Sequence, residues 1–266
     1  IIKVLNGGNM DSIVKLNIFQ FSLIYLLLIV ILAIMKKSKI NKTKLLILAS
    51  FRMTIQLVLA GLILTYIFKE PHPIFVVLYL LAMIAFSISR VLSKNKDINR
   101  NFKIAIALSL GFSGVFILAY FVLVVVGESF FNPQYTIPLA GMIIGNSMTG
   151  VTLGMKTFTE NLHSQRNRIE ALLNLGVTPK KILLPFVNNA LETALMPTMN
   201  NMLGMGIISL PGMMTGQILS GTEPTTAIMY QIAIMIAICT SVCLTVFCAL
   251  NFGYRTLYNE RSQIHL

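Results

Sequence analysis

Long apolar runs separated by short clusters of charge dominate this chain. A helix needs about 20 such residues to cross about 30 Å of hydrocarbon. Seven runs qualify, six of them unbroken: Leu16 to Met35, Leu45 to Phe68, Pro73 to Ile88, which is short and can tilt little, Ile104 to Val126, Tyr135 to Met155 and Thr225 to Phe252. A further stretch, Ile182 to Leu219, exceeds one straight crossing and contains Pro185, Pro197 and Pro211. Proline deletes a helical hydrogen bond and crowds the preceding turn. The stretch is therefore predicted to be segmented: a cytoplasmic-side helix to about Met196, a spanning portion from Thr198, and an irregular break at Leu210-Pro211-Gly212. The pattern as a whole predicts an all-α integral membrane protein with about seven transmembrane helices.

Composition supports this class: 56% of residues are hydrophobic, 11% are charged and the mean hydropathy is +0.79, far from the soluble average. The net charge of +12 raises nucleic acid as a partner, and the positions of the basic residues exclude it. Eighteen of the 21 Lys and Arg residues fall in Lys36 to Arg52, Arg90 to Lys103, Lys156 to Lys181 and Arg255 to Arg261. Cytoplasmic loops carry such an excess, so the N-terminus is predicted outside and the C-terminus inside. Arg52 is close enough to the basic loop to snorkel to the interface. Ile1 to Asn9 lacks span character and reads as a leader-derived or appended remnant ahead of Met10. Residues 10–266 read as one transmembrane domain. The first span runs into Lys36-Lys37 without a small-residue cleavage site, which makes it an anchor and not a removable signal.

Several chemistries find no support. Cys239, Cys243 and Cys248 all lie in the last run, with no Cys-x-x-Cys spacing and no disulfide framework. No Gly-x-x-x-x-Gly-Lys-Ser/Thr loop occurs, and Gly176 to Lys181 lacks the spacing to cradle phosphate. His72, His163 and His265 are scattered over different segments, and no Ser/His/Asp set shares one depth. The chain is therefore read as neither an enzyme nor a binder of its own cofactor. Glu192 is the only acid inside an apolar stretch, few for a proton-coupled carrier.

The segment Arg166 to Pro185, RNRIEALLNLGVTPKKILLP, is too charged to cross a membrane yet well patterned for helix. Ile169, Leu172, Leu173 and Leu175 form an apolar stripe. Gly176 stops that helix, and Thr178-Pro179 reads as the cap and first position of another. A stripe with a basic flank at Arg166 and Arg168 suits docking into a partner's groove. It equally suits an amphipathic helix lying on lipid.

Glu170-Ala171, Gly176 and Ile182-x-Leu184-Pro185 resemble the coupling loop of ABC transporter permeases, with Leu172 in place of a second Ala. The chain from Leu16 to Glu260 is similar to the Fet-type iron-export permeases and the plant aluminium-sensitivity transporters. The similarity runs through 141–149, Asn188 to Pro197 and, most specifically, Leu210 to Gly221. It implies a permease subunit working as a homodimer on two copies of a separate ATPase, which binds ATP and Mg²⁺. The cytoplasmic coupling helix then lies between spans five and six, within 160–185, with Arg168, Glu170, Ala171, Leu172 and Gly176 as ATPase-coupling residues. Iron is the cargo the resemblance implies. The plant relatives' association with a sugar nucleotide keeps another solute open.

Gly141, Gly145, Gly150 and Gly154 provide two small-x-x-x-small steps for close helix approach, with Asn146 among them. Glycines at 204, 206, 212, 216 and 221 around Pro211 predict an interrupted helix. Irregular backbone at membrane depth must be buried in protein or line a cavity. The translocation path is therefore expected near Leu210 to Gln217, with Asn146, Glu192, Asn200, Pro211, Gly212, Met213 and Gln217 as candidate lining residues. Met196, Met199, Met202 and Met205 recur every third residue, joined by Met213 and Met214. Thioethers can ligate soft metals or fill an adaptable core. An ATPase-independent carrier and a membrane scaffold that only recruits a partner remain as competing classes.

Overall fold

The computed structural model describes residues 17–95 and 98–258. Leu16 and the segment Ile1 to Asn9 lie outside them, as do His265 and Arg261. Among the described residues every extended regular element is a helix, and the chain divides into two compact units.

The smaller unit comprises 17–70 and Gly216–Glu223. It contains α1 (Ile18–Leu23), α2 (Tyr25–Lys37) and α3 (Thr43–Lys69). The tight link between α2 and α3 places Lys39 at a positive φ of 53°. Tyr25 and Thr54 join the two helices through a 2.6 Å hydroxyl–hydroxyl bond. Leu57, Leu62 and Phe51 stand open on α3, and only Ile67 on that helix is buried. Helices apolar all round with little protein packing belong in lipid.

The larger unit spans 71–215 and 224–258 among the described residues. It contains α4 (Pro73–Lys94), α5 (Arg100–Tyr120), α6 (Pro133–Ser164), α7 (Arg166–Asn174), α8 (Pro179–Gly204) and α10 (Pro224–Gly253). The short α9 (Gly212–Leu219) begins in this unit and ends in the other. α5 finishes in a wider π-helical turn, Phe121–Val126, closed by Gly127 at φ 77°. α10 is central, lying against α5, α6 and α8. The approach is close because residues are missing side chains where helices meet. A Cβ on Gly253 would collide with the Phe102 ring. One on Gly154 would stand 3.3 Å from the Ala190 carbonyl oxygen and from Ala194 Cβ on α8. Asn99 caps α5 through the Phe102 N–H at 2.8 Å. Its amide also donates to the Thr256 carbonyl at 2.7 Å, pinning the turn Tyr254–Thr256 after α10.

Among the described residues six helices are long and apolar enough to cross a membrane: Phe19–Lys37, Thr43–Lys69, Pro73–Lys94, Arg100–Val126, Pro133–Ser164 and Pro224–Thr256. These are the six plain runs of the sequence. The seventh run differs from its expected division. α8 continues unbroken through Pro185 and Pro197 to Gly204, instead of ending near Met196. Both prolines are exposed, whereas Ile182, Phe186, Val187, Ala190, Ala194 and Thr198 form a continuous buried face. Packing on one side holds the helix through its defects. The break comes at 205–211, where Gly206 adopts φ 83° and Ser209 accepts its N–H at 2.9 Å. α8 has the length of a span, but Lys180, Lys181, two Asn pairs and Glu192 leave it outside the six.

Candidate functional site

α7 stands at the end of α6, separated from it by Gln165 alone. Its C-terminus is closed by a Schellman motif: Gly176 N–H donates to Leu173 O at 2.9 Å and Val177 N–H to Leu172 O at 3.1 Å. Gly176 takes φ 79°, the left-handed conformation such a stop requires. Thr178 occupies the cap position of α8 with Pro179 behind it, although its hydroxyl makes no capping bond.

The apolar stripe of α7 does not point outward as a docking surface. Ile169 is fully buried and Leu172 and Leu173 pack against the chain's own core. A nine-residue helix cannot hold its place alone, and inward burial is what fixes it. Only Leu175 projects, at 79% exposure. Asn174, Ala171 and Glu170 are also exposed. Glu170 is bridged to Arg166 at 2.9 Å one turn back. Arg168 Nη1 donates to Gln165 Oε1 at 3.1 Å. Arg168 and Leu172 line a cavity of about 310 Å³ with Lys181 and Phe186 of α8. At its edge Asn161 Nδ2 donates to Asn189 Oδ1 at 3.1 Å, tying α6 to α8. The five coupling candidates thus share one helix–turn element, but only two of them line its cavity.

The candidate path residues are more dispersed. Asn146 is exposed on α6 and donates to its own helix at Met142 O, 2.7 Å away. Thr149 does likewise to Gly145 O at 3.0 Å. Glu192 and Asn200 are exposed on α8. Pro211 and Gly212 flank the break, and Met213 packs on the core. Gln217 Oε1 is buried with no hydrogen-bond partner. None of these seven lines the apolar cavity of about 480 Å³ formed by α8, the 205–211 segment, α9 and α10. Met202, Met205, Met214 and Met235 line that cavity instead, while Met196 and Met199 face outward. The three-residue methionine spacing therefore does not build a continuous ladder. Met235 and the cavity's buried Gln231 were not signalled by sequence, since periodicity in α10 marks a span without marking which face adjoins the break. Of the glycine steps, Gly150 and Gly154 are sites of close approach, whereas Gly145 faces open space. Among the described residues no three His, Cys, Asp or Glu side chains gather to hold a metal.

Six apolar helices long enough to cross a bilayer, joined through a broken polar segment and a short anchored helix, define a multi-pass integral membrane protein. The uncharacterised protein family UPF0014 matches residues 18–258, and the chain belongs to it. It is 29% identical to the UPF0014 membrane protein YjkA of Bacillus subtilis over 94% of this chain and 98% of that protein. It is 32% identical to the probable iron export permease protein FetB of Escherichia coli, over 93% and 95% respectively. Identity to the protein ALUMINUM SENSITIVE 3 of Arabidopsis thaliana is 34%, over 69% of this chain and 66% of the plant protein. No solved structure matches.

Proposed function

We propose that this chain is the permease subunit of an ABC-type exporter, acting as a homodimer with two copies of a separate ATPase that binds ATP and Mg²⁺. The observation that carries the reading is the mounting of α7. Ile169 roots it in the core, while Leu175, Asn174 and Glu170 stay open beyond it. A short helix so mounted, joined to α6 through Gln165 and to α8 through the turn at Gly176, can pass a push from a bound partner into the bundle. On this reading α7 lies on the cytoplasmic side, which the basic loops support, and the N-terminus lies outside. Counting α8 with the broken 205–211 segment as a crossing gives seven spans.

Exposed polar groups on α6 and α8 support a translocation path. Asn146 and Thr149 occupy one open face of α6; Asn188, Glu192 and Asn200 occupy one of α8. Such groups are costly against lipid, so a second copy or a water-filled path covers them in the membrane. Iron is the proposed cargo because FetB is described as a probable iron export permease.

A Walker-motif ATPase encoded beside this chain would favour the reading, and reconstitution with that ATPase tests it. ATP-dependent movement of labelled iron is expected, and labelled sugar nucleotide serves as the competing cargo. Leu175→Asp is expected to abolish stimulation of the ATPase while the permease still folds. Flux on an ion gradient without ATPase would mean a carrier. Partner binding with unchanged ATP turnover and no flux would mean a scaffold.

A further inference from the structure

Among the described residues, the cavity of about 310 Å³ between α6, α7 and α8 is lined by two cations, Arg168 and Lys181, and by no carboxylate. The neighbouring acids are already neutralised: Glu170 pairs with Arg166 at 2.9 Å and Glu160 with Lys156 at 3.8 Å, each within its own helix. Arg168 and Lys181 take part in no ion pair among the described residues. Both side chains are exposed, so their charged ends are free to turn towards a ligand. Arg168 commits Nη1 to Gln165 Oε1 and keeps the rest of its guanidinium fork open. Asn189 accepts from Asn161 through Oδ1, which leaves its own Nδ2 as a further donor on the cavity wall.

The depth of the cavity narrows the ligand. Asn161 belongs to the last turn of α6, where the span Pro133–Ser164 ends. The cavity therefore lies where hydrocarbon gives way to the headgroup layer. Its wall is divided: Ile182 and Phe186 are buried and apolar, while the two cations stand at the open side. Basic pockets between spanning helices hold lipid phosphates, and a guanidinium fork matches the geometry of a phosphate oxyanion. A volume of about 310 Å³ lies at the small end of ligand sites, roughly 300–1,000 Å³. It admits a headgroup and not a pair of acyl chains. We propose that this cavity binds a phosphate group through Arg168 and Lys181, with the Asn189 amide as a neutral donor. An anionic lipid headgroup and a soluble phosphate ester share that chemistry.

The test uses the whole chain in detergent. Dioleoyl phosphatidic acid, phosphatidylglycerol or phosphatidylcholine is added over a range of mole fractions, and native mass spectrometry counts the lipid retained. The two anionic lipids are expected to bind at about tenfold lower mole fraction than phosphatidylcholine, whose own ammonium competes for its phosphate. Arg168→Gln with Lys181→Gln is expected to abolish that preference. Lys180→Gln with Arg255→Gln removes the same charge from exposed positions outside the cavity and is expected to retain it. Equal binding of all three lipids overturns the proposal. So does an equal fall in both double variants, which would make the attraction a diffuse effect of net charge. Each cavity substitution alone is expected to lower the preference, so the outcome does not hang on the folding of one variant. sn-Glycerol 3-phosphate, which carries the same group without acyl chains, identifies the source. Displacement of phosphatidic acid by an excess of it assigns the site to soluble esters, and persistence of the bound lipid assigns it to the membrane. No ATPase is present, so every outcome leaves the permease reading where it stood.

Discussion

A Cβ placed on Gly150 of α6 would stand 2.6 Å from Cγ1 of Val242 on α10. Val242 is β-branched and fully buried, so it has no alternative rotamer to retreat into. Gly150→Ala is therefore expected to lower stability by about 1–3 kcal/mol through overpacking. Thermal unfolding in detergent measures the loss, and Val242→Ala in the same chain is expected to recover most of it. Additive losses in the double variant would show that the two residues do not meet. Gly145→Ala is the control, because nothing lies within 4 Å of its Cβ position.

Asn99 carries a second, separable contribution. It accepts from Phe102 N–H and from the Thr256 hydroxyl, the latter at 3.1 Å, and donates to Thr256 O. Asn99→Ala removes a helix cap and a link 157 residues away in sequence, with an expected loss of about 2–3 kcal/mol. Asn99→Asp keeps the cap but loses the donated bond, so its loss should be smaller. Equal losses in thermal unfolding would mean that the cap alone matters.

The contrast between these helices and the candidate site shows what hydropathy can convey. A run such as Ile104 to Val126 is visible because lipid imposes one requirement on every residue in it. α8 answers to different neighbours on different sides. Its prolines suggested a division near Met196, yet Ala190, Ala194 and Thr198 bury a continuous face whose partners on α6 and α10 lie far away in sequence. The stripe of α7 was legible as a helix but not in direction. Ile169 points into the core because α6 and α8 meet there, a fact of tertiary packing. Gly176, by contrast, was fully legible as a stop, since a left-handed residue after a short apolar stripe is a local requirement. Met235 and Gln231 lie in an evenly apolar span, and no local pattern could single them out.

The orientation of the chain gives a direct test. With the three native cysteines replaced by alanine, a cysteine at exposed His72, between α3 and α4, is expected to react with an impermeant maleimide from outside intact cells. One at exposed Asn174, at the end of α7, should react only after the membrane is opened. The opposite pattern would invert the basic-loop assignment and place α7 away from any cytoplasmic ATPase.

The open polar faces of α6 and α8 make the last prediction, and it separates transport from folding. Asn146 bonds only to its own helix at Met142 O, so Asn146→Leu removes no tie between helices in the single chain. Unfolding of the monomer is accordingly expected to change by no more than about 0.5 kcal/mol. A path-lining amide, however, offers a dipole to a hydrated solute, and leucine replaces it with a dry surface. ATP-driven flux should therefore fall at least about tenfold, the scale of one lost polar interaction, with ATPase stimulation retained. Glu192→Gln tests the same idea from α8. If cation transport uses its charge, the neutral isostere should lower flux of the cation without altering assembly. Unchanged flux in both variants would remove these faces from the path and leave them to subunit contact alone, which crosslinking between cysteines placed at Thr149 of two copies would then detect.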